Sequence, residues 1–147
     1  MTVPPLIFFV DDSADYLFLI RQVAGRSFPQ IPIRFFTDGQ DLIDEIESSV
    51  PAEGNRPRLI VLDIDMPRMD GFQTLRRLKM LPEWQSVPVV MMTNRVDSES
   101  EQESYRLGAC SFLLKPMNLT AIRETLTQLC AFDVEANPFQ KSGRPAA

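Results

Sequence analysis

The chain has 147 residues, with 15 Lys and Arg against 20 Asp and Glu for a net charge of -5, two cysteines and no histidine. That length suits one domain, large enough to bury roughly two-thirds of its unfolded surface, and is expected to leave no room for a second functional one. The acidic balance and the lack of a basic run with interleaved aromatics exclude direct nucleic-acid binding. The missing histidine excludes His-dependent catalytic triads, His-based zinc sites and a phosphohistidine on this chain.

Taken in chain order, the N-terminus MTVPPLIFFVDD lacks the basic flank and cleavage site of a signal peptide. No apolar run approaches the roughly 18 residues of a membrane span, so a cytoplasmic protein without membrane contact is expected. The first apolar run, Leu6–Val10, reads as a strand, and Ser13 caps a helix over Ala14–Ser27 whose core face runs through Leu17, Ile20 and Ala24. Pro29 and Pro32 isolate a second strand, Ile31–Phe36, before Asp38 caps a helix over Gln40–Ser49. After the polar loop Pro51–Pro57, a buried run Leu59–Leu62 leads to Asp63, Asp65 and Asp70, with Asp70 starting a helix over Gly71–Leu81. A fourth strand over Val87–Met92, a helix over Ser98–Leu107 closed by Gly108, a fifth strand over Ser111–Leu114 and a helix over Leu119–Cys130 complete the pattern. Residues 133–147 form a tail, expected to be flexible, after a domain over 1–132. Cys110 and Cys130, unrelated in spacing, read as reduced thiols.

Five strands alternating with five helices indicate an α/β fold, a mostly parallel sheet with helices on both faces. Such sheets bind ligands outside the carboxyl ends of their strands. There the sequence places Asp11 and Asp12 after the first strand, Asp63 after the third, Thr93 and Asn94 after the fourth, and Lys115 and Pro116 after the fifth. The second strand, ending in Thr37 and Asp38, offers nothing to this rim, as an edge strand would. Two carboxylates about 4 Å apart repel by roughly 4 kcal/mol at an effective dielectric near 20, so three converging acids need protons or a cation. Oxygen donors without His or Cys point to a hard divalent ion, Mg²⁺ best and Mn²⁺ as a substitute. An acid, a lysine and a hydroxyl beside such an ion make a phosphoryl-transfer site with Asp63 as nucleophile.

The motifs VDD at Val10–Asp12, LDIDMPRMDG at Leu62–Gly71, MMTN at Met91–Asn94 and LLKP at Leu113–Pro116 together carry a resemblance. From Leu6 to about Cys130 the chain resembles the receiver domain of two-component response regulators, most closely the single-domain, chemotaxis-regulator kind. The resemblance implies a flavodoxin-like, doubly wound five-stranded parallel sheet in order 2-1-3-4-5, in three αβα layers. It implies that Asp63 is the phosphoacceptor and that Asp11, Asp12, Asp63 and the backbone carbonyl of Asp65 hold the metal. Thr93, Lys115 and the Asn94 backbone would bind the phosphoryl group, and Lys115–Pro116 would carry a cis peptide. Thr93 and Phe112 would form the conformational switch, repacking the face of the fourth helix, fifth strand and fifth helix. Such a protein is no enzyme beyond its own phosphorylation and slow dephosphorylation.

Asp65, Asn94 and Arg95 depart from the commonest receiver pattern and are candidate modulators of phosphoryl lifetime, with an Asp65–Arg95 pair over the site as the specific expectation. Partners implied are a sensor histidine kinase, with Tyr16, Phe18 and Leu19 of the first helix either docking it or packing more tightly into the core, and a downstream protein or histidine phosphotransfer protein. Phe132 and Phe139 are candidates for a homodimer contact. The Pro51–Pro57 loop and LPEWQSVPVVMMT also look similar to single-domain regulators paired with bacterial phytochrome kinases. Two rivals differ in class. Asp63 and Asp65 spell the DxD of haloacid-dehalogenase-like phosphatases, but there DxD lies near the N-terminus and the DD pair comes last, the reverse of the order here. The other rival is a receiver that binds partners without ever being phosphorylated.

Overall fold

The computed structural model describes residues 6–48, 56–95 and 97–131. Strands and helices alternate as β1 (Ile7–Val10), α1 (Ala14–Ser27), β2 (Ile33–Phe36), α2 (Gly39–Ser48), β3 (Leu59–Asp63), α3 (Gly71–Lys79), β4 (Val89–Thr93), α4 (Ser98–Arg106), β5 (Ser111–Leu114) and α5 (Leu119–Cys130). The strands pair in parallel in the order β2-β1-β3-β4-β5, so β2 is an edge. Most of the Pro51–Pro57 loop, Phe132, Phe139 and the 133–147 tail lie outside the described residues.

Backbone chemistry explains where the boundaries moved from the sequence expectation. β4 begins at Val89 rather than Val87 because Pro88 has no N–H to give the ladder, though its carbonyl still accepts from the Ile60 N–H at 3.0 Å. β3 runs on to Asp63, which pairs with Met92. α3 stops at Lys79 because Met80 N–H bonds back to Arg77 in a tightened last turn and Pro82 lies ahead. The expected caps form: Ser13 Oγ accepts from Tyr16 N–H at 3.1 Å, and an Asp38 carboxylate oxygen accepts from Asp41 N–H at 2.7 Å. Asp70 and Gln73 exchange reciprocal bonds as a capping box. Gly108 leaves α4 at a φ of 107°, open to glycine and strained for other residues.

Strand alternation sorts the core into two layers. Val10, Leu62, Met91 and Phe112, successive partners in the ladder, face α2 and α3 with Leu42, Ile43, Leu75 and Leu78. Phe9, Val61 and Val90 face α1 and α5, against Leu17, Ile20, Ile122 and Leu126. The result is the expected three-layer αβα sandwich. Cys110 and Cys130 are free thiols, and among the described residues no helix is long and apolar enough to cross a membrane.

Two elements tie the loop after β3 to its surroundings. Arg68, a non-glycine residue with φ 67°, bonds the buried Asp38 carboxylate at the start of α2. Gly71 N–H donates to the Ile64 carbonyl at 2.8 Å, bringing α3 so close to β3 that a Cβ on Gly71 would lie 2.4 Å from the Asp63 carbonyl oxygen and 2.7 Å from Ile64 Cα. Both obstacles are backbone and cannot rotate away. Gly71→Ala should therefore destabilise the fold by about 1–3 kcal/mol, seen as a lower urea midpoint.

Candidate functional site

The ladder carries the chemistry to one edge. Val10 pairs with Leu62, so Asp11, one residue on, comes level with Asp63; Thr93 pairs with Leu114, so Lys115 emerges one step beyond. Lys115 N–H fixes that step by donating to the Thr93 carbonyl at 2.7 Å. All four of Asp11, Asp63, Thr93 and Lys115 are buried, whereas Asp12 is exposed.

Lys115 Nζ lies 2.6 Å from Asp11 Oδ2 and 4.0 Å from Asp63 Oδ2. Asp11 Oδ1 accepts from Ser13 N–H at 2.9 Å, but Oδ2 receives no aligned hydrogen bond despite the nearby ammonium. The contact is a charge contact at poor angle, and it leaves a buried oxygen with a free lone pair. Burial pushes the Asp63 carboxyl up to about 7, the Asp11 charge pushes the same way, and Lys115 offsets part of this. Burial likewise raises Asp11, against the pull of Lys115. Three carboxylates against one ammonium leave two formal negative charges at the rim.

That surplus tests the metal expectation. Asp11, Asp12 and Asp63 each offer an oxygen, and the three atoms lie within 4.8 Å of one another. Hard oxygen donors, two excess charges and an unsatisfied Asp11 Oδ2 fit a divalent cation of the Mg²⁺ or Mn²⁺ type.

The remaining expected residues fall into place unevenly. Thr93 Oγ1 accepts from Arg95 N–H at 3.3 Å, and Asn94 is exposed beside it. The expected Arg95–Asp65 pair forms at 3.3 Å between two exposed side chains. Phe112 is 8% exposed and sits in the layer with Met91 and Ala109.

Two expectations are corrected. The Lys115–Pro116 bond is trans, since no cis peptide occurs among the described residues. An X–Pro bond favours trans by about 0.5–1 kcal/mol by default, and the trans bond here presents the Pro116 carbonyl to the Tyr16 hydroxyl, which donates to it at 2.8 Å. Tyr16 is thus no docking residue. It is buried, and its ring lies 4.3 Å from Lys115 Nζ; of the other two, Phe18 is exposed, while Leu19 is half-buried and packs against the α1–α5 core. The helical period held the missed signal: Tyr16 precedes Ile20 by four residues, on the face shared with Leu17, Ile20 and Ala24. Arg68 also went unnoticed, because its partner Asp38 is 30 residues away and no local motif joins them.

A family model described as the response regulator receiver domain matches residues 7–127. The chain is a response regulator receiver domain. Among curated relatives, this receiver is 27% identical to response regulator Rcp1 of Synechocystis sp. over 133 residues, covering 90% of each chain. The solved Mn²⁺-bound form of Rcp1 superposes with a TM-score of 0.75 at 26% identity, over 94% of this chain and all of that one. A phosphorylated cyanobacterial phytochrome response regulator, RcpA, shares the fold with a TM-score of 0.74 at 24% identity, over 86% of this chain and 91% of that one. Against longer relatives the receiver spans only a part. It covers 31% of the cyclic di-GMP phosphodiesterase response regulator RpfG of Xanthomonas campestris, at 29% identity over 123 residues. With the family assigned, the phosphatase reading of Asp63 and Asp65 has no support beyond the bare DxD.

The raised acids set the receiver's pH dependence. Unfolded, the Asp63 carboxyl loses its proton near 3.8; folded, near 7. Between these values the folded chain binds more protons, so this group makes stability fall as pH rises through that window. The lowered carboxyls of Asp38, Asp97 and Glu103 act oppositely, but only as pH falls through their own acidic range. Urea unfolding in EDTA should therefore show a less stable protein at about pH 7.5 than at about pH 5, with the slope reduced in Asp63→Asn.

Proposed function

We propose that this receiver accepts a phosphoryl group from the phosphohistidine of a sensor histidine kinase onto Asp63, in a Mg²⁺-dependent transfer, and signals through Thr93 and Phe112 to a partner protein. The observation that carries this reading is the convergence of Asp63, Lys115 and the Asp11–Asp12 pair at the carboxyl rim of one parallel sheet.

An Asp63 carboxylate oxygen forms the new bond to phosphorus while the P–N bond to the donor histidine breaks, the electron pair leaving with the imidazole nitrogen. Lys115 donates to the equatorial phosphoryl oxygens, exchanging its contact with Asp11 for one with the incoming anion. The Thr93 hydroxyl and the Asn94 N–H hold the acyl phosphate formed. Asp11, Asp12, Asp63 and the Asp65 carbonyl would hold Mg²⁺, which when bound neutralises charge on the transferred group. The site acts on its own phosphoryl group and no other substrate.

A phosphoryl group adds roughly -1.5 to -2 of charge beside Thr93. Its hydroxyl turns toward the new oxygens, and Phe112, three residues before Lys115, repacks the face of α4, β5 and α5. Phe18, 62% exposed on α1, is the apolar residue best placed to meet the kinase. Rcp1 is a relative matched over 90% of its length, and with the likeness to the phytochrome response regulator RcpA it supports a phytochrome-type kinase as the first cytoplasmic donor to try. The relay's next member is a downstream protein or a histidine phosphotransfer protein.

In a phosphotransfer screen against purified kinases, the wild-type chain should gain label in Mg²⁺ and lose it in EDTA, while Asp63→Asn gains none. A chain that binds the kinase yet never takes label would instead be a receiver that works without phosphorylation. The Asp65–Arg95 pair, at 3.3 Å, covers the route by which water reaches the acyl phosphate. Exposed pairs are worth about 0.2–1 kcal/mol, so Arg95→Ala should speed loss of label by roughly 1.4- to fivefold in a single-turnover chase. An unchanged rate would remove the lid.

A further inference from the structure

We infer that Tyr16 is a positioning residue for Lys115, acting through its ring on the ammonium and through its hydroxyl on the peptide that follows. The inference rests on the proposed role of Lys115 in phosphoryl transfer and names the group that sets where that lysine can point.

Lys115 needs such a support. Its ammonium is buried beside two acids, 2.6 Å from Asp11 Oδ2 and 4.0 Å from Asp63 Oδ2, and the nearer contact lies outside ordinary hydrogen-bond angles. A flexible four-carbon stem with three rotatable donors has no preferred direction of its own. The Tyr16 ring supplies a third contact, 4.3 Å from Nζ to the ring centroid, within the range where the ring's negative face attracts a cation. That attraction is strongest where water is excluded, and Tyr16 and Lys115 are each only 6% exposed.

The hydroxyl secures the same lysine from its backbone. Tyr16 Oη donates to the Pro116 carbonyl at 2.8 Å, while Lys115 N–H donates to the Thr93 carbonyl at 2.7 Å. The peptide bearing Lys115 is therefore pinned on one side to β4 and on the other to α1. Ser13 Oγ accepts from the Tyr16 N–H, so the turn that carries Asp11 also places the tyrosine. One short segment, 11 to 16, thus supplies both the carboxylate that Lys115 leaves and the ring over which it moves.

The ring is the part that acts on the reaction, and a double-mutant cycle isolates it. With acetyl phosphate as donor and intact mass as readout, Tyr16→Leu should slow labelling of Asp63 about tenfold, whereas Tyr16→Phe, which keeps the ring, should stay within about threefold of wild type. In a Lys115→Ala background Tyr16→Leu should cause no further loss. Equal losses from Tyr16→Leu with and without Lys115, no loss in either, or a Phe variant as slow as the Leu variant would each overturn the inference. A second readout needs no phosphorylation and survives failure of the Leu variant to fold. In wild type and Tyr16→Phe the Lys115 Hε protons should be shifted upfield by the ring current in ¹H–¹³C spectra; ordinary shifts in both would overturn the placement. Failure of the functional reading has a different signature: wild type would take no label at all, or Asp63→Asn would take as much as wild type.

Discussion

Everything at this site follows from one constraint, the burial of two carboxylates with a single ammonium between them. Asp11 and Asp63 are nearly inaccessible, and Lys115 reaches Asp11 at 2.6 Å but Asp63 only at 4.0 Å. Asp63 is therefore the less neutralised acid, and burial, with the Asp11 charge beside it, pushes its carboxyl up to about 7 against the partial offset from Lys115. A buried acid short of positive charge is a poor arrangement for stability. It is a good one for accepting a cation and a phosphoryl group, because each supplies what the pocket lacks or satisfies the ammonium that the acids share.

The fold makes this concentration of charge tolerable by surrounding it with backbone that cannot drift. β1 and β3 are central strands, paired on both sides, so Asp11 and Asp63 follow segments with no freedom of register. The absent side chain of Gly71 lets α3 press on the Asp63 carbonyl, and the Asp70–Gln73 capping box fixes where that helix starts. Arg68 holds the intervening loop to Asp38 at a φ that an L-residue adopts at a cost. The pairing outweighs that cost because Asp38 is itself buried and needs the partner.

How much of this the sequence disclosed depends on the range of the interaction involved. Local chemistry was legible: α1 and α5 start and stop where the caps and periodicity put them, and Asp70 and Gly108 do what a carboxylate cap and a terminal glycine do. The convergence of Asp11, Asp12, Asp63, Thr93 and Lys115 was legible too, because a parallel sheet brings all its carboxyl ends to one rim. Interactions between distant segments were not. The Arg68–Asp38 pair spans 30 residues and has no periodic trace, and the Tyr16–Pro116 bond spans 100. For Tyr16 the sequence left docking and core packing both open, and burial on the stripe shared with Ile20 decides for the core. The trans Lys115–Pro116 bond shows the limit of carrying a geometry over from a family motif, since the motif fixes residue types and not the isomer.

Strand alternation adds a last step that bears on how a signal leaves the site. Asp11 continues the parity of Phe9, Asp63 that of Val61, and Lys115 that of Leu113, all on the α1–α5 face. Thr93 continues the parity of Met91 and shares with Phe112 the opposite face, toward α2 and α3. The acids and the lysine thus lie on one side of the sheet and the two proposed switch residues on the other. Between them runs one short backbone link, Lys115 N–H to the Thr93 carbonyl. Under the proposed transfer, a phosphoryl group on Asp63 would draw on Lys115 from one face and on the Thr93 hydroxyl from the other, so both ends of that link would feel the same anion. In a close-packed core small displacements of this kind are resolved by repacking rather than absorbed. Phe112, on the edge strand β5 across from Met91 in the ladder, is the large buried side chain of that strand on the face shared with Thr93.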